Sequence, residues 1–172
     1  MWGTASAIDD YLSTVAVMLE RYGVNLGAPS GSAEVELLEE PDGRLSFELL
    51  GHLPDRGRGD RSDVTVREAF EPIGPKRYER SGYEYELLDR ERDYRRAFHM
   101  HFPEWFRARY LVLVHEHCER PIGRVACEHY EGSPIKDAFG GIVALVDAWS
   151  SDPPACDSLP CLERGEPRVG DG

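Results

Sequence analysis

Two short histidine pairs are the features of this 172-residue sequence with the clearest chemistry. The first pair is His99 and His101, and the second is His115 and His117. Side chains two residues apart on a β-strand point to the same side, so each pair directs two imidazole rings toward one ion. Imidazole, thiolate and carboxylate groups suit Zn²⁺ or Fe²⁺. The spacing therefore predicts a divalent-metal site, provided that the strands carrying the two pairs lie side by side.

Four strand-like segments follow one another from residue 83, with short charged or Pro/Gly-containing connections between them. They are Tyr83–Leu88, Arg95–Phe102, Tyr110–Cys118 and Arg124–Tyr130. Consecutive strands with short connections favour an antiparallel meander. The hydrophobic pattern predicts that Glu84 lies opposite His99, Ala97 opposite His115, and His115 opposite Cys127.

These registers give the predicted sheet one apolar face and one histidine-rich face. The apolar face would contain Tyr83, Tyr85, Leu87, Phe98, Met100, Phe102, Tyr110, Val112 and Val114. The opposite face would collect five of the six histidines, with only His52 elsewhere. As metal ligands we predict His115, His117 and His129, with Cys127 or Glu84 as a further ligand and His99 and His101 as supporting or competing ligands.

Two other interpretations of the histidine-rich face stay open. The rings could be structural, with hydrogen bonds to Glu84, Glu86, Tyr130 or the backbone. The same face could also form the surface of an accessory module that binds a protein partner. If an ion is bound and keeps a position for water, it would generate hydroxide for hydrolysis, with Glu84 or a histidine as proton acceptor. The sequence assigns no reaction beyond that hypothesis.

The charge distribution limits the class of partner. The formal net charge is −12, which disfavours nucleic acid because an acidic surface repels phosphates. Residues 76–109 are the only part with a basic excess, and Arg95 and Arg96 there are candidate contacts for an anion. The alternative is a solvated hairpin tip in which Asp89, Glu91 and Asp93 pair with the arginines of this segment. No nucleotide-cofactor motif is present, and no stretch reaches the roughly 20 apolar residues of a membrane-spanning helix.

Two helices flank the predicted strands. Ser6 opens the first helix and Gly23 closes it, while Ser133 and Pro134 begin a second helix whose apolar stripe runs to Trp149. A turn at Pro41–Gly43 indicates a β-hairpin, and residues 54–63 are expected to form a loop. We therefore predict an α+β fold, with an antiparallel β-meander sheet and an N-terminal and a C-terminal helix packed on one face. Residues 1–150 would form one domain, with 83–149 as the core sheet plus helix and 151–172 as a surface or partly disordered tail.

The cysteine spacing matches no compact zinc motif. Cys118, Cys127, Cys156 and Cys161 are expected to be free thiols, because no secretory signal is visible at the N-terminus and a reducing compartment is then expected. The predicted localisation is cytoplasmic.

Three motifs carry a resemblance to known proteins. They are Tyr83–Asp89 (YEYELLD), Arg95–His101 (RRAFHMH) and Val114–Glu119 (VHEHCE). Together they resemble a small uncharacterised bacterial domain family of high-GC actinobacteria and their phages, over about residues 76–150. That resemblance implies a shared domain and no particular reaction. A weaker similarity, to small toxin-like proteins of toxin–antitoxin pairs, implies an RNA-active function.

Overall fold

The computed structural model describes residues 3–27, 36–54, 62–100, 114–123, 130–131, 135–150 and 156. Two helices and eight strands lie within these residues. In chain order they are α1 (Ala5–Arg21), β1 (Asn25–Leu26), β2 (Leu38–Glu39), β3 (Leu45–Leu53), β4 (Ser62–Gly74), β5 (Arg77–Asp89), β6 (Tyr94–Met100), β7 (Val114–Glu119), β8 (Tyr130–Glu131) and α2 (Ala138–Ser150).

The strands form one antiparallel sheet in the order β1-β3-β4-β5-β6-β7-β8, and β2 also pairs with β3. Both helices pack on the same face of this sheet. Tyr11 of α1 contacts Phe47 of β3, and Gly141 of α2 lies against the ring of Tyr85 of β5. Registers place Phe47 and Tyr85 on one side of the sheet. The predicted α+β class, antiparallel sheet and helix-covered face are confirmed.

The first helix begins earlier, and the second begins later, than the sequence predicted. Thr4, not Ser6, caps α1, because its hydroxyl accepts a hydrogen bond from the Ala7 amide. Asp137 caps α2 through the Gly140 amide, so the helix begins after the Ser133–Pro134 step that was predicted to open it. The apolar stripe of α1 is buried as predicted except for Tyr22. In α2 the fully buried positions are Ala138, Gly141, Ile142 and Leu145, and of these only Ile142 belongs to the predicted stripe, whose Val143 is exposed.

Strand β4 was missed by the sequence analysis, and it begins at Ser62, within the predicted loop of residues 54–63. Residues 55–61 of that loop lie outside the described part. Alternate β4 side chains are buried among apolar neighbours, but one of these core positions is occupied by Glu68. A charged residue in the apolar series weakens the alternation by which strands are recognised. As a result the sheet extends well before residue 83.

The strand registers were right in phase and partly wrong in position. Glu84 lies opposite His99, as predicted. His115 lies opposite His99 instead of Ala97, a shift of two residues. Its partner on the other side is Glu131 instead of Cys127, so the predicted pairing with Cys127 is wrong. Slips by an even number of residues preserve the face of each side chain, because strand side chains alternate with period two. Hydrophobic patterning therefore predicts which face of the sheet each side chain occupies, but not which residue lies opposite it on the neighbouring strand.

Cys118 and Cys156 form a disulfide, which corrects the expectation that these two are free thiols. The bond links β7 to a residue six positions after the last residue of α2. The sequence analysis treated residues 151–172 as a surface tail, and for that reason did not bring Cys156 near the sheet. Cys127 and Cys161 lie outside the described residues.

A buried ion pair connects the helices to the sheet beneath them. The Glu68 carboxylate accepts hydrogen bonds from Arg80 Nη1 at 2.8 Å, from Tyr11 of α1 at 3.2 Å and from the Tyr85 hydroxyl. Arg80 also donates to the Ile135 carbonyl, just before α2, at 2.6 Å. Burial raises the pKa of Glu68, and the charge of Arg80 opposes that shift. This network ties α1, β4, β5 and the start of α2 together.

Candidate metal centre

A continuous row of charged and imidazole side chains crosses the face of the sheet opposite the helices. Each member lies directly opposite the next on the neighbouring strand. In order from β3 to β7 the row is Glu48, Arg67, Glu84, His99 and His115. Cross-strand neighbours of this kind have their side-chain roots about 4.5–5.5 Å apart, close enough to interact. The sheet register therefore brings two histidines from distant parts of the sequence into contact.

Three imidazole rings form the centre of this face. The ring centroids of His99 and His115 are 5.0 Å apart, those of His99 and His117 are 4.8 Å apart, and those of His115 and His117 are 5.1 Å apart. One ligand nitrogen from each ring lies within 4.8 Å of the other two. In a tetrahedral zinc site with Zn–N bonds of about 2.0–2.1 Å, coordinating ring centroids lie about 5 Å apart. The spacing of these rings is thus compatible with a shared ion.

The cluster is sheltered although it lies on the face opposite the helices. His115 is 1% exposed and His99 is 6% exposed, whereas His117 is half-buried. A metal ion held there would be bound mainly by buried imidazoles, with His117 at the more accessible side. Low exposure also restricts the motion of the rings, and a preorganised ligand set loses less entropy on binding.

Carboxylates flank the imidazole cluster on the β5 side. Glu84 Oε1 lies 3.7 Å from His99 Nε2, while the other oxygen of Glu84 accepts a hydrogen bond from Arg67 at 3.0 Å. Arg67 also donates to Glu48 at 2.8 Å, and this hydrogen bond raises the pKa of Arg67. One carboxylate oxygen of Glu84 is therefore held by a neighbouring guanidinium, and the other faces the histidines.

A second arginine is shared by two carboxylates on the same face. Arg95 donates to Glu86 at 2.6 Å and to Glu119 at 2.7 Å. Burial by itself would raise the pKa of Glu119, but the Gly123 amide and the Arg95 guanidinium more than offset it, and the pKa lies below its ordinary value. Glu119 is thus held as a carboxylate beside the cluster at neutral pH.

The structure brings together part of the predicted ligand set. His115 and His117 come together with His99, which was predicted as a supporting ligand, and Glu84 approaches this group only through His99. His101, Cys127 and His129 lie outside the described residues.

The candidate anion contacts are engaged in ion pairs. Arg95 pairs with Glu86 and Glu119, and Arg96 pairs with Glu116 on the helix-covered face. Their partners lie on other strands and are not the predicted Asp89, Glu91 and Asp93, although Asp89 does pair with Arg92.

Sequence reasoning missed Arg67 and Glu48 as neighbours of the site, and it considered Glu86 only as a hydrogen-bonding partner of the histidines. Arg67 lies on β4, which was not recognised as a strand, so nothing placed it next to Glu84. The alternation of Val64, Val66 and Phe70 is the signal that could have identified β4 and therefore the outward direction of Arg67.

An open cleft of about 680 Å³ lies beside the cluster. Glu48, Arg67 and Glu84 belong to its wall, together with Met100 at the end of β6. Glu84 therefore borders the cleft and also approaches His99, whereas none of the three histidines lines the cleft.

Comparison of the chain with protein-family models, curated proteins and solved structures gives no match. The resemblance to the actinobacterial and phage domain family consequently stays a prediction from the three motifs. No helix in the described part of the chain is both long and apolar enough to span a bilayer. The buried histidine and glutamate group itself could hold a metal ion.

Proposed function

We propose that this protein binds a divalent transition-metal ion, Zn²⁺ or Fe²⁺, through His99, His115 and His117. The observation that carries the proposal is the mutual approach of three imidazole rings, each with a ligand nitrogen within 4.8 Å of the others. The donor chemistry supports it as well, since imidazole is a ligand that both ions accept. Protein interaction and a purely structural role for the histidines are the alternatives that the experiment separates.

The position of the rings on rigid elements supports a binding role. His99 lies on β6, and His115 and His117 lie on β7, which pairs with β6 over six residues. The disulfide at Cys118 fixes the residue next to His117. A site built on paired strands keeps its ligands in place better than a site on a loop.

The test is a metal titration of untagged protein, because an affinity tag of histidines would itself bind the ion. The protein is stripped with a chelator and titrated with Zn²⁺, and separately with Fe²⁺ under anaerobic conditions, by calorimetry. We expect saturable binding that is weakened at least tenfold by His115→Ala or His117→Ala. Binding should also weaken below about pH 6, because the imidazole ligands must be neutral to coordinate the ion.

His52→Ala is the matched control. His52 lies on the same face of the sheet but bonds to Asp63 at 2.8 Å, outside the cluster. Its removal should leave metal affinity unchanged. Absence of binding by the wild type, or equal loss in the control and cluster variants, would contradict the proposal and favour a structural or partner-binding role. Metal binding should also raise the free energy of unfolding, by about 2.7 kcal/mol when the free ion is at a hundred times its Kd.

A further inference from the structure

We infer, resting on the metal site proposed above, that a second divalent cation binds next to the first, between Glu84, Glu86 and His99. One ligand atom from each of these residues lies within 4.8 Å of the other two. Two carboxylates and one imidazole form a mixed oxygen and nitrogen donor set that Zn²⁺ and Fe²⁺ accept. The inferred centre therefore holds two ions, with His99 common to both ligand groups.

His99 can serve both ions because an imidazole ring has two nitrogens. Its Nε2 lies 3.7 Å from Glu84 Oε1, which places this nitrogen on the carboxylate side of the ring. The second ion would then bind Nε2, and the first ion would take the other ring nitrogen together with His115 and His117. Coordination of both nitrogens would require the ring proton to leave to solvent.

The two carboxylates are already oriented for this role. Arg67 occupies Oε2 of Glu84, and Arg95 occupies Oε2 of Glu86 through two nitrogens. In both residues Oε1 is then the oxygen that can take a metal ion. Hydrogen-bonding partners that hold one oxygen of a ligand carboxylate are a regular part of metal sites.

The charge balance next to His99 also favours a cation. Arg67 is shared by Glu48 and Glu84, and Arg95 is shared by Glu86 and Glu119. Each arginine neutralises one of its two carboxylates, so each group of three side chains keeps one negative charge. The two remaining charges equal the charge of one divalent ion.

The test measures the number of bound ions. Untagged wild-type protein is dialysed against a series of buffered free Zn²⁺ concentrations, and zinc per chain is determined by elemental analysis. We expect two ions per chain for the wild type, and one for Glu86→Gln. The matched control is Glu71→Gln, which removes an exposed carboxylate of β4 at the other end of the cleft and should keep two ions.

The possible outcomes separate this inference from the proposed function. One ion in the wild type that is kept in Glu86→Gln overturns the second site and leaves the three-histidine site intact. One ion that Glu86→Gln removes contradicts both proposals, because the single ion then needs the carboxylates. Two ions in both the wild type and Glu86→Gln place the second ion elsewhere and also overturn the second site. No bound ion contradicts both proposals. Circular dichroism checks that Glu86→Gln is folded, and Glu84→Gln, with the same expected loss of one ion, provides a second route if it is not.

Discussion

The close packing of α2 on β5 predicts how a substitution at Gly141 changes the stability of the protein. A Cβ atom built on Gly141 would lie 2.4 Å from Cδ2 of Tyr85, far inside van der Waals contact, and within 2.7 Å of two further atoms of the same ring. Tyr85 is fully buried and its hydroxyl bonds to Glu68, so the ring has little room to move. Gly141→Ala therefore pushes α2 away from the sheet.

The expected magnitude is the balance of two terms. Alanine favours the helical state over glycine by about 1 kcal/mol. Overpacking a tightly filled core costs typically about 1–3 kcal/mol, and the upper part of that range applies because the obstacle is a rigid aromatic ring. We expect Gly141→Ala to lower the free energy of unfolding by about 1–2 kcal/mol, measured by equilibrium urea unfolding followed by circular dichroism.

Gly140→Ala is the matched control in the same turn of α2. A Cβ at Gly140 would lie 3.4 Å from a side-chain atom of Ile135, an ordinary contact distance. The helix-propensity term then acts alone, and the variant should be more stable than the wild type by about 0.5–1 kcal/mol. If Gly141→Ala were as stable as Gly140→Ala, α2 could not pack as closely on Tyr85 as the structure shows.

Two further predictions concern the cross-links of the fold. Replacing Cys118 and Cys156 with serine should lower the free energy of unfolding by up to about 4 kcal/mol, because the disulfide spans 38 residues and restricts the unfolded chain. The measurement is equilibrium urea unfolding. An unchanged urea midpoint would show that the disulfide does not stabilise the protein. Glu68→Ala should lower the free energy of unfolding by about 3–5 kcal/mol, because it leaves the Arg80 charge buried without its carboxylate. Glu48→Ala removes a partly exposed ion-pair partner and should lower it by less than about 1 kcal/mol. Similar losses for the two variants in the same urea assay would contradict the assigned difference in burial.

The sequence was sufficient to predict which residues share a face of the sheet. Tyr83 and Tyr85 alternate with Glu84 and Glu86, and the same period-two rule separates His99 from Phe98. Burial of the aromatic side selects the phase, because a slip by one residue would expose every aromatic ring at once. For this reason the common face of His99, His115 and His117 was predictable before any contact was known.

The ligand set itself was less predictable, because it depends on position along the strand. A slip by two residues keeps every side chain on the same face of the sheet. The hydrophobic pattern could therefore not choose between Ala97 and His99 as the neighbour of His115. The choice depends on interactions between residues far apart in the sequence, such as the ion pairs of Arg95 with Glu86 and Glu119, which join three strands. A local sequence pattern does not contain such pairs.

The same ion pairs explain why the face opposite the helices can contain buried imidazoles. Such a face is expected to be polar and wet, yet His99 and His115 are almost fully buried. Arg67 and Arg95 are each shared by two carboxylates, so negative charge is left over around the cluster. Under the proposed function, one divalent ion would satisfy several rings and this surrounding charge at once.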